Sequence, residues 1–441
     1  MAAHQTRDQD PAFERRASAP RTPPIECFPA IPMLQSTARS RWPSLAARLR
    51  VSPGARTLIS VAAAHCMIDC SANVWPIFKK LAGLDLAAAG MLVTVTTIVS
   101  VGLQPLFGFW ADHGHRRRLI LVGAAIGPLI VLLGPISRAP QFMHHWSGYA
   151  TMALILLASG LGISIFHPPA ASAVGDTSTK RRSTMVGLFV TTGMVGLGSS
   201  HLVFSTVYLR TSGHTELLLI PAALVIVLAI RWCRPVDPPP SAVDWRDGVR
   251  RFAGLFRVIL IPWLIQVLST ASLVALHFML PELTQARGQS QWWVNGGATL
   301  LLIGGNAATV IPAGHLADRR GRRHLLAGCL TLTIGLYYGL VLAPSLATWQ
   351  FALLVFALGA CVGPVNALMV AYAQQRLPEN SSTATGIMLG MAWAAAAPAT
   401  WIVGFLVQTA GLSLPTALAW MGLPTCIGLC LMLLMVIRRD L

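Results

Sequence analysis

The stretch Gly314-His315-Leu316-Ala317-Asp318-Arg319-Arg320-Gly321-Arg322-Arg323 separates two long apolar runs. A second stretch, Gly108-Phe109-Trp110-Ala111-Asp112-His113-Gly114-His115-Arg116-Arg117-Arg118, does the same 206 residues earlier. Further landmarks recur at nearly that distance. Pro76 and Pro281 lie 205 apart, and Gly160 and Gly187 each lie 199 before Gly359 and Gly386. The chain therefore reads as two parallel copies of one unit. Residues 57–230 form the first copy and 258–441 the second. Residues 231–257, with Pro238-Pro239-Pro240 and mixed charges, are the linker between them.

Composition says what surrounds these copies. Of 441 residues, 54% are hydrophobic and 11% charged, and mean hydropathy is +0.62. A water-facing domain carries about a quarter charged residues, so lipid must cover most of this chain. A bilayer core of ~30 Å needs roughly 20 apolar residues per helix. Apolar runs bounded by charges and turn residues predict twelve spans, at 58–78, 88–109, 119–136, 149–166, 184–206, 216–230, 258–279, 292–313, 325–343, 349–372, 384–406 and 415–436. The expected class is an all-α membrane protein of two pseudo-symmetric six-helix halves.

The 33 Lys and Arg residues give the orientation. With the N-terminus inside, 28 fall in inner segments and five outside, namely Lys79, Lys80, Arg138, Arg210 and Arg287. Basic loops stay cytoplasmic, so both termini are expected in the cytoplasm of a cell inner membrane. This placement also excludes nucleic acid as the partner of the +17 net charge. The eight cysteines fall mostly in apolar runs and form no CxxC pair, so they read as small buried residues. No nucleophile–base set or phosphate loop is visible, so neither an enzyme nor a cofactor is expected.

Residues 1–56 are polar, basic and Pro-rich, with no long apolar period, and read as a disordered cytoplasmic tail. Within it Ala38–Arg50 mixes Trp42, Leu45 and Leu49 with four arginines, a pattern suited to anionic lipid. Met33 is an alternative start.

The repeated loops resemble the signature loop of the major facilitator superfamily, G-x-x-x-D-R-x-G-R-R. The second copy matches throughout. The first has His113 and His115 at the Arg and second Gly positions. The resemblance implies that Gly108, Asp112, Arg116 and Arg117, with Gly314, Asp318, Arg319, Gly321 and Arg322, latch helix ends together and gate a pathway. Three further stretches resemble the fosmidomycin resistance protein family. They are His65-Cys66-Met67-Ile68-Asp69, Gln104-Pro105-Leu106-Phe107-Gly108, and Gly160 through Phe166-His167-Pro168. Pro169 stands where that family usually has an acidic residue. Span 5 lacks a clear Gly-Pro antiporter motif, for which Gly193, Gly196 and Gly198 are the nearest remnant. The resemblance implies a secondary transporter, a proton-coupled antiporter exporting a drug or small metabolite.

Asp69 is the one acidic residue expected well inside a span, about 16 Å deep at 1.5 Å per residue. A charge at that depth is costly and is a functional hypothesis by default. His65 lies four residues before it and Asn73 four after, so the three share one helix face. The expected role of His65 and Asp69 is proton coupling; the structural alternative is a polar pair holding span 1 to a neighbour. At the repeat offset they fall on Thr270 and Val274, so the pair belongs to one half only. Expected cavity residues are Asn73, Gln104, His167, Gln266, Thr270, His277, Asn306, Asn366 and Trp393. Pro168-Pro169 is expected to end span 4 just after His167. Trp263 and Trp401, with Trp393, are expected to give the cavity aromatic walls. Trp75, Trp292, Trp293 and Trp349 are expected in interface belts. No Lys or Arg is expected at the midplane, which favours neutral, cationic or amphipathic substrates. A metal reading of His65, Cys66, Asp69 and Cys70 is weaker, because adjacent residues on one helix point about 100° apart. Small-molecule uptake and a non-transporting sensor remain the functional alternatives. A small-molecule substrate, protons and the lipid bilayer are the expected partners of a monomer.

Overall fold

The computed structural model describes residues 52–178, 182–236, 245–377 and 381–438. The basic tail with Ala38–Arg50, the Met33 start and part of the linker lie outside the described residues. So do the side chains of Asp112 and Asp318.

Twelve helices are long and apolar enough to cross a membrane. They are α1 (Pro53–Leu81), α2 (Leu86–Trp110), α3 (Arg116–Ser137), α4 (Trp146–Gly175), α5 (Met185–Arg210) and α6 (Thr215–Trp232). The second half follows as α7 (Phe256–Ala286), α8 (Trp293–Ala317), α9 (Arg322–Leu342), α10 (Thr348–Arg376), α11 (Ala384–Gln408) and α12 (Leu414–Ile437). In lipid each backbone N–H and C=O must be satisfied within its own segment, which is why helices carry the chain across. The count is even, so the first and last described residues lie at one end, called here the terminal end. The α2–α3 and α8–α9 loops share it. The linker stretch is helical again from Trp245 onward.

Prolines shape these helices where the function is expected. In α1 the helix runs from Pro53 to Ala72, breaks at Asn73 and resumes at Trp75. Pro76 cannot donate to the Ala72 carbonyl, so the break falls there. The expectation that Pro168-Pro169 ends α4 is not met. The helix continues to Gly175 with both prolines inside it. Proline is tolerated within transmembrane helices when neighbouring groups take up the freed carbonyls.

The apolar core is not uniform along the bundle. Near the terminal end there are two separate clusters. One holds Ile68, Ile120 and Phe166 of the first half, and the other Ile265, Leu330 and Met369 of the second. Toward the far end a single cluster takes Trp75, Phe78 and Phe204 together with Leu276, Phe278 and Phe351. The two halves thus share a core at one end only. Trp75 belongs to that core and not to an interface belt. It is 2% exposed and its indole N–H donates to the Ala89 carbonyl at 3.1 Å.

The signature loops are built alike in the two halves. Arg116 pairs with Asp176 at the end of α4, 2.6 Å away. Arg322 donates to Gln375 at the end of α10. These four residues are repeat equivalents, since Arg116 precedes Arg322 by 206 residues and Asp176 precedes Gln375 by 199. Arg117 adds bonds to the Cys233 and Ile230 carbonyls, both 3.0 Å, which tie the first loop to α6. Gly321 has φ of 80°, a backbone state that L side chains rarely adopt, and so allows the sharp entry into α9.

Candidate functional site

Asp69 lies on α1 between two imidazoles. His65 Nε2 is 3.2 Å from Oδ2, from the same helix face as expected. His167 Nε2 is 3.1 Å from Oδ1, reaching across from α4. His167 was expected to line the cavity; the structure places it beside Asp69. Its Nδ1 donates to the Ile163 carbonyl one turn back at 2.8 Å. His65 Nδ1 donates to the Phe189 carbonyl of α5, also at 2.8 Å. The Phe189 ring stacks on His65 with centroids 3.8 Å apart.

These bonds fix the proton arithmetic. A carbonyl only accepts, so Nδ1 of each ring carries hydrogen. Each Nε2 then faces one carboxylate oxygen, and each contact is a hydrogen bond only when a proton sits on it. With two such protons both contacts are bonded and the trio carries +1. With one, a nitrogen lone pair faces an oxygen and the trio is neutral. A charge-assisted hydrogen bond is worth about 1.5–3 kcal/mol, so the second contact gives the site a marked preference between loaded and unloaded geometries. Side-chain exposure falls from 24% at His167 to 15% at Asp69 and 5% at His65, so access runs past His167.

Gly193 and Gly196 of α5 have a physical reason for being glycine. A Cβ on Gly193 would lie 2.6 Å from Asp69 Oδ2 and from His65 Nε2. One on Gly196 would press on the Cys66 and Cys70 backbone. Both let α5 close on the face of α1 that carries the trio.

The same ligand atoms of His65, Asp69 and His167 lie within 4.8 Å of one another, a set whose donor types suit zinc. Cys66 and Cys70 do not join it. Cys70 instead accepts from Ser199 at 4.0 Å.

The other expected cavity residues separate into distinct places. Gln266 donates to Asn366 at 2.5 Å and faces Thr270 at 3.4 Å, a polar cluster confined to the second half. Asn306 lies against Gly363 and Gln104 against Gly390, so both sit where helices touch closely. Trp393 is half-buried on α11, Trp263 packs edge-on to Phe256, and Trp401 is exposed beside Phe405. Asn73 and His277 meet across the two halves at 3.2 Å.

One pair runs against the placement of Lys79 in an outer segment. Lys79 lies inside α1, 1% exposed, with Nζ 2.6 Å from Glu282 Oε1 of α7 and 4.4 Å from the Phe278 ring centroid. The signal available was the repeat itself, because each residue follows its span's proline, Pro76 or Pro281, by one turn or less.

Comparison with known proteins agrees with this architecture. The model of the Major Facilitator Superfamily matches residues 57–400. An uncharacterized MFS-type transporter of Bacillus subtilis, YfnC, is 24% identical over 387 residues, covering 83% of this chain and 90% of that protein. The fosmidomycin resistance protein of Escherichia coli is 20% identical over 358 residues, covering 77% and 82%. Among solved structures, the nucleoside transporter NupG aligns with a TM-score of 0.68 at 14% identity, over 87% of this chain and 100% of that one. The human organic anion transporter MFSD10 aligns at 0.60 with 16% identity and the same coverage. Twelve helices in two repeated halves, the paired signature loops and a family match over most of the length make this chain a transporter of the Major Facilitator Superfamily.

Proposed function

We propose that this transporter is a proton-coupled antiporter that exports a drug or small metabolite by alternating access. The Asp69 trio carries the reading. It is a carboxylate within the bundle whose two histidine contacts hold one proton or two, with a unit change of charge between them. Such a group links proton occupancy to the packing of α1 against α4 and α5. Residues 57–230 and 258–441 are the two bodies that rock, joined by 231–257. The arginines of the α2–α3 and α8–α9 loops hold helix ends within each half while they do so. The skew of basic residues supports a position in the inner membrane with the terminal end in the cytoplasm. A single chain supplies both halves of the pathway, so a monomer suffices.

The shared core at the far end supports a resting form closed there, with loading from the terminal end past His167. Among the described residues no Lys or Arg joins the trio, which favours neutral, cationic or amphipathic cargo. The test uses everted membrane vesicles energised to acidify their lumen, with a pH-sensitive dye. Fosmidomycin, nucleosides, organic anions and lipophilic cations are added in turn. At least one compound is expected to collapse the gradient in vesicles holding the parent protein and not in those holding Asp69→Asn. Equal responses in both vesicle types would overturn the coupling role of Asp69.

A further inference from the structure

A second cluster of titratable groups sits on the boundary between the halves, and the Asp69 trio does not use it. His201 of α5 and His277 of α7 stack with ring centroids 5.8 Å apart. Each bonds to the opposite half. His201 Nδ1 is 2.8 Å from the Thr299 hydroxyl of α8, and His277 Nε2 is 3.2 Å from the Asn73 amide nitrogen of α1. An amide N–H only donates, so His277 meets Asn73 through an unprotonated Nε2. His201 is 0% exposed, and its Nε2 has no hydrogen-bond partner among the described residues. The surrounding charges are few. Lys79 of α1 and Glu282 of α7 form the adjoining ion pair, α5 supplies His201 itself, and Asn73 and Thr299 are neutral. Asp69 and His65 lie one and two turns deeper along α1.

We propose that His277, facing His201, is a second proton-binding site, and that a proton taken up at His277 Nε2 unlatches the far end of the molecule. Once bound, the proton sets an N–H against the Asn73 N–H, so the α1–α7 contact in this form is broken and the Asn73 amide must turn over or part from His277. It also places a cation against the His201 ring, with no added anion to balance it. Among the described residues, polar contacts that tie the halves toward this end include Asn73–His277, His201–Thr299, Lys79–Glu282, and the Ser205 hydroxyl donating to the Asn295 carbonyl at 2.9 Å. Between α2 and α11, Thr94 donates to the Ala397 carbonyl at 2.9 Å and Thr400 to the Gly90 carbonyl at 3.3 Å. The Asn73–His277 contact must rearrange on protonation, and the His201–Thr299 contact holds the ring that faces the new charge. The site works as a release for the closed end, separate from the trio, and needs only that the halves part there.

The test is double electron–electron resonance on the full chain in lipid nanodiscs. Nitroxide-bearing unnatural residues replace Leu209 of α5 and Trp349 of α10, both exposed at the far end, and the native cysteines stay in place. From about pH 8 to about pH 4, a range that reaches well below the titration of an ordinary imidazole, the parent distance distribution is expected to shift to longer values. His277→Gln, which keeps a polar group without gaining charge, is expected to hold the short distance throughout. His277→Arg is expected to show the long distance already at about pH 8, where a neutral imidazole keeps the parent short. Asp69→Asn is expected to retain the parent's shift, which separates this site from the coupling carboxylate. A His277→Gln response equal to the parent's, a parent without a shift, a short distance in His277→Arg, or loss of the shift in Asp69→Asn would each overturn the proposal.

Discussion

At Asp69 the decisive detail is where the two histidines place their other nitrogens. Both Nδ1 atoms are held by backbone carbonyls, so neither ring can turn away and offer a different tautomer. The carboxylate therefore meets two fixed Nε2 atoms. His167→Gln removes a titrating partner while keeping a hydrogen-bond donor near Oδ1. It is expected to leave folding intact and to reduce compound-driven proton movement about tenfold, the effect of losing about 1.4 kcal/mol of coupling. The vesicle dye assay measures this, and an unchanged response would remove His167 from the coupling site. The His65–Asp69 pair was legible in the sequence because an acid within a span is costly wherever it points. The third member was not, because His167 lies 98 residues away and only the packing of α4 against α1 brings it to Asp69.

Among the helices, α5 is shaped by what α1 carries. Gly193→Ala places a methyl against Asp69 and His65 and is expected to lower stability by about 1–3 kcal/mol, the usual cost of overpacking. Gly187→Ala, where nothing lies within 4 Å of the added carbon, is the matched control and is expected to be neutral or slightly stabilising. Thermal unfolding of both variants in detergent compares them directly. At the far end of α1, Lys79→Met leaves the Glu282 carboxylate buried without its partner and is expected to cost about 3–5 kcal/mol. Adding Glu282→Gln to Lys79→Met is expected to restore most of that loss in the same melting assay. If the double variant melts no higher than Lys79→Met alone, the pair is not a coupled unit. The twelve helices and their order were legible because apolar length and charge spacing are strong local signals. The Lys79–Glu282 pair was not, because its members lie 203 residues apart and each looks like an ordinary span-end charge.

For the whole molecule, the two halves share a core at one end and keep separate cores at the other. That asymmetry is what an alternating-access protein presents when closed on one side. The cytoplasmic orientation is proposed from the sequence, where 28 of 33 basic residues fall in segments expected inside. A green fluorescent protein fused after Leu441 is therefore expected to fluoresce in bacterial cells, and alkaline phosphatase at the same position to be inactive. The reverse pattern would invert the direction assigned to every step. The tandem repeat was readable from two loops, yet the division of labour between the halves was only partly so. The first half carries the carboxylate, while Gln266, Thr270 and Asn366 form their own cluster in the second. The most direct test of coupling uses purified protein in proteoliposomes and a compound identified by the vesicle assay. An imposed pH difference should drive the parent to concentrate that compound against its gradient, while Asp69→Asn should equilibrate it without concentrating it. Accumulation by Asp69→Asn to the parent's level would contradict the assignment of Asp69 as the site where proton and cargo are linked.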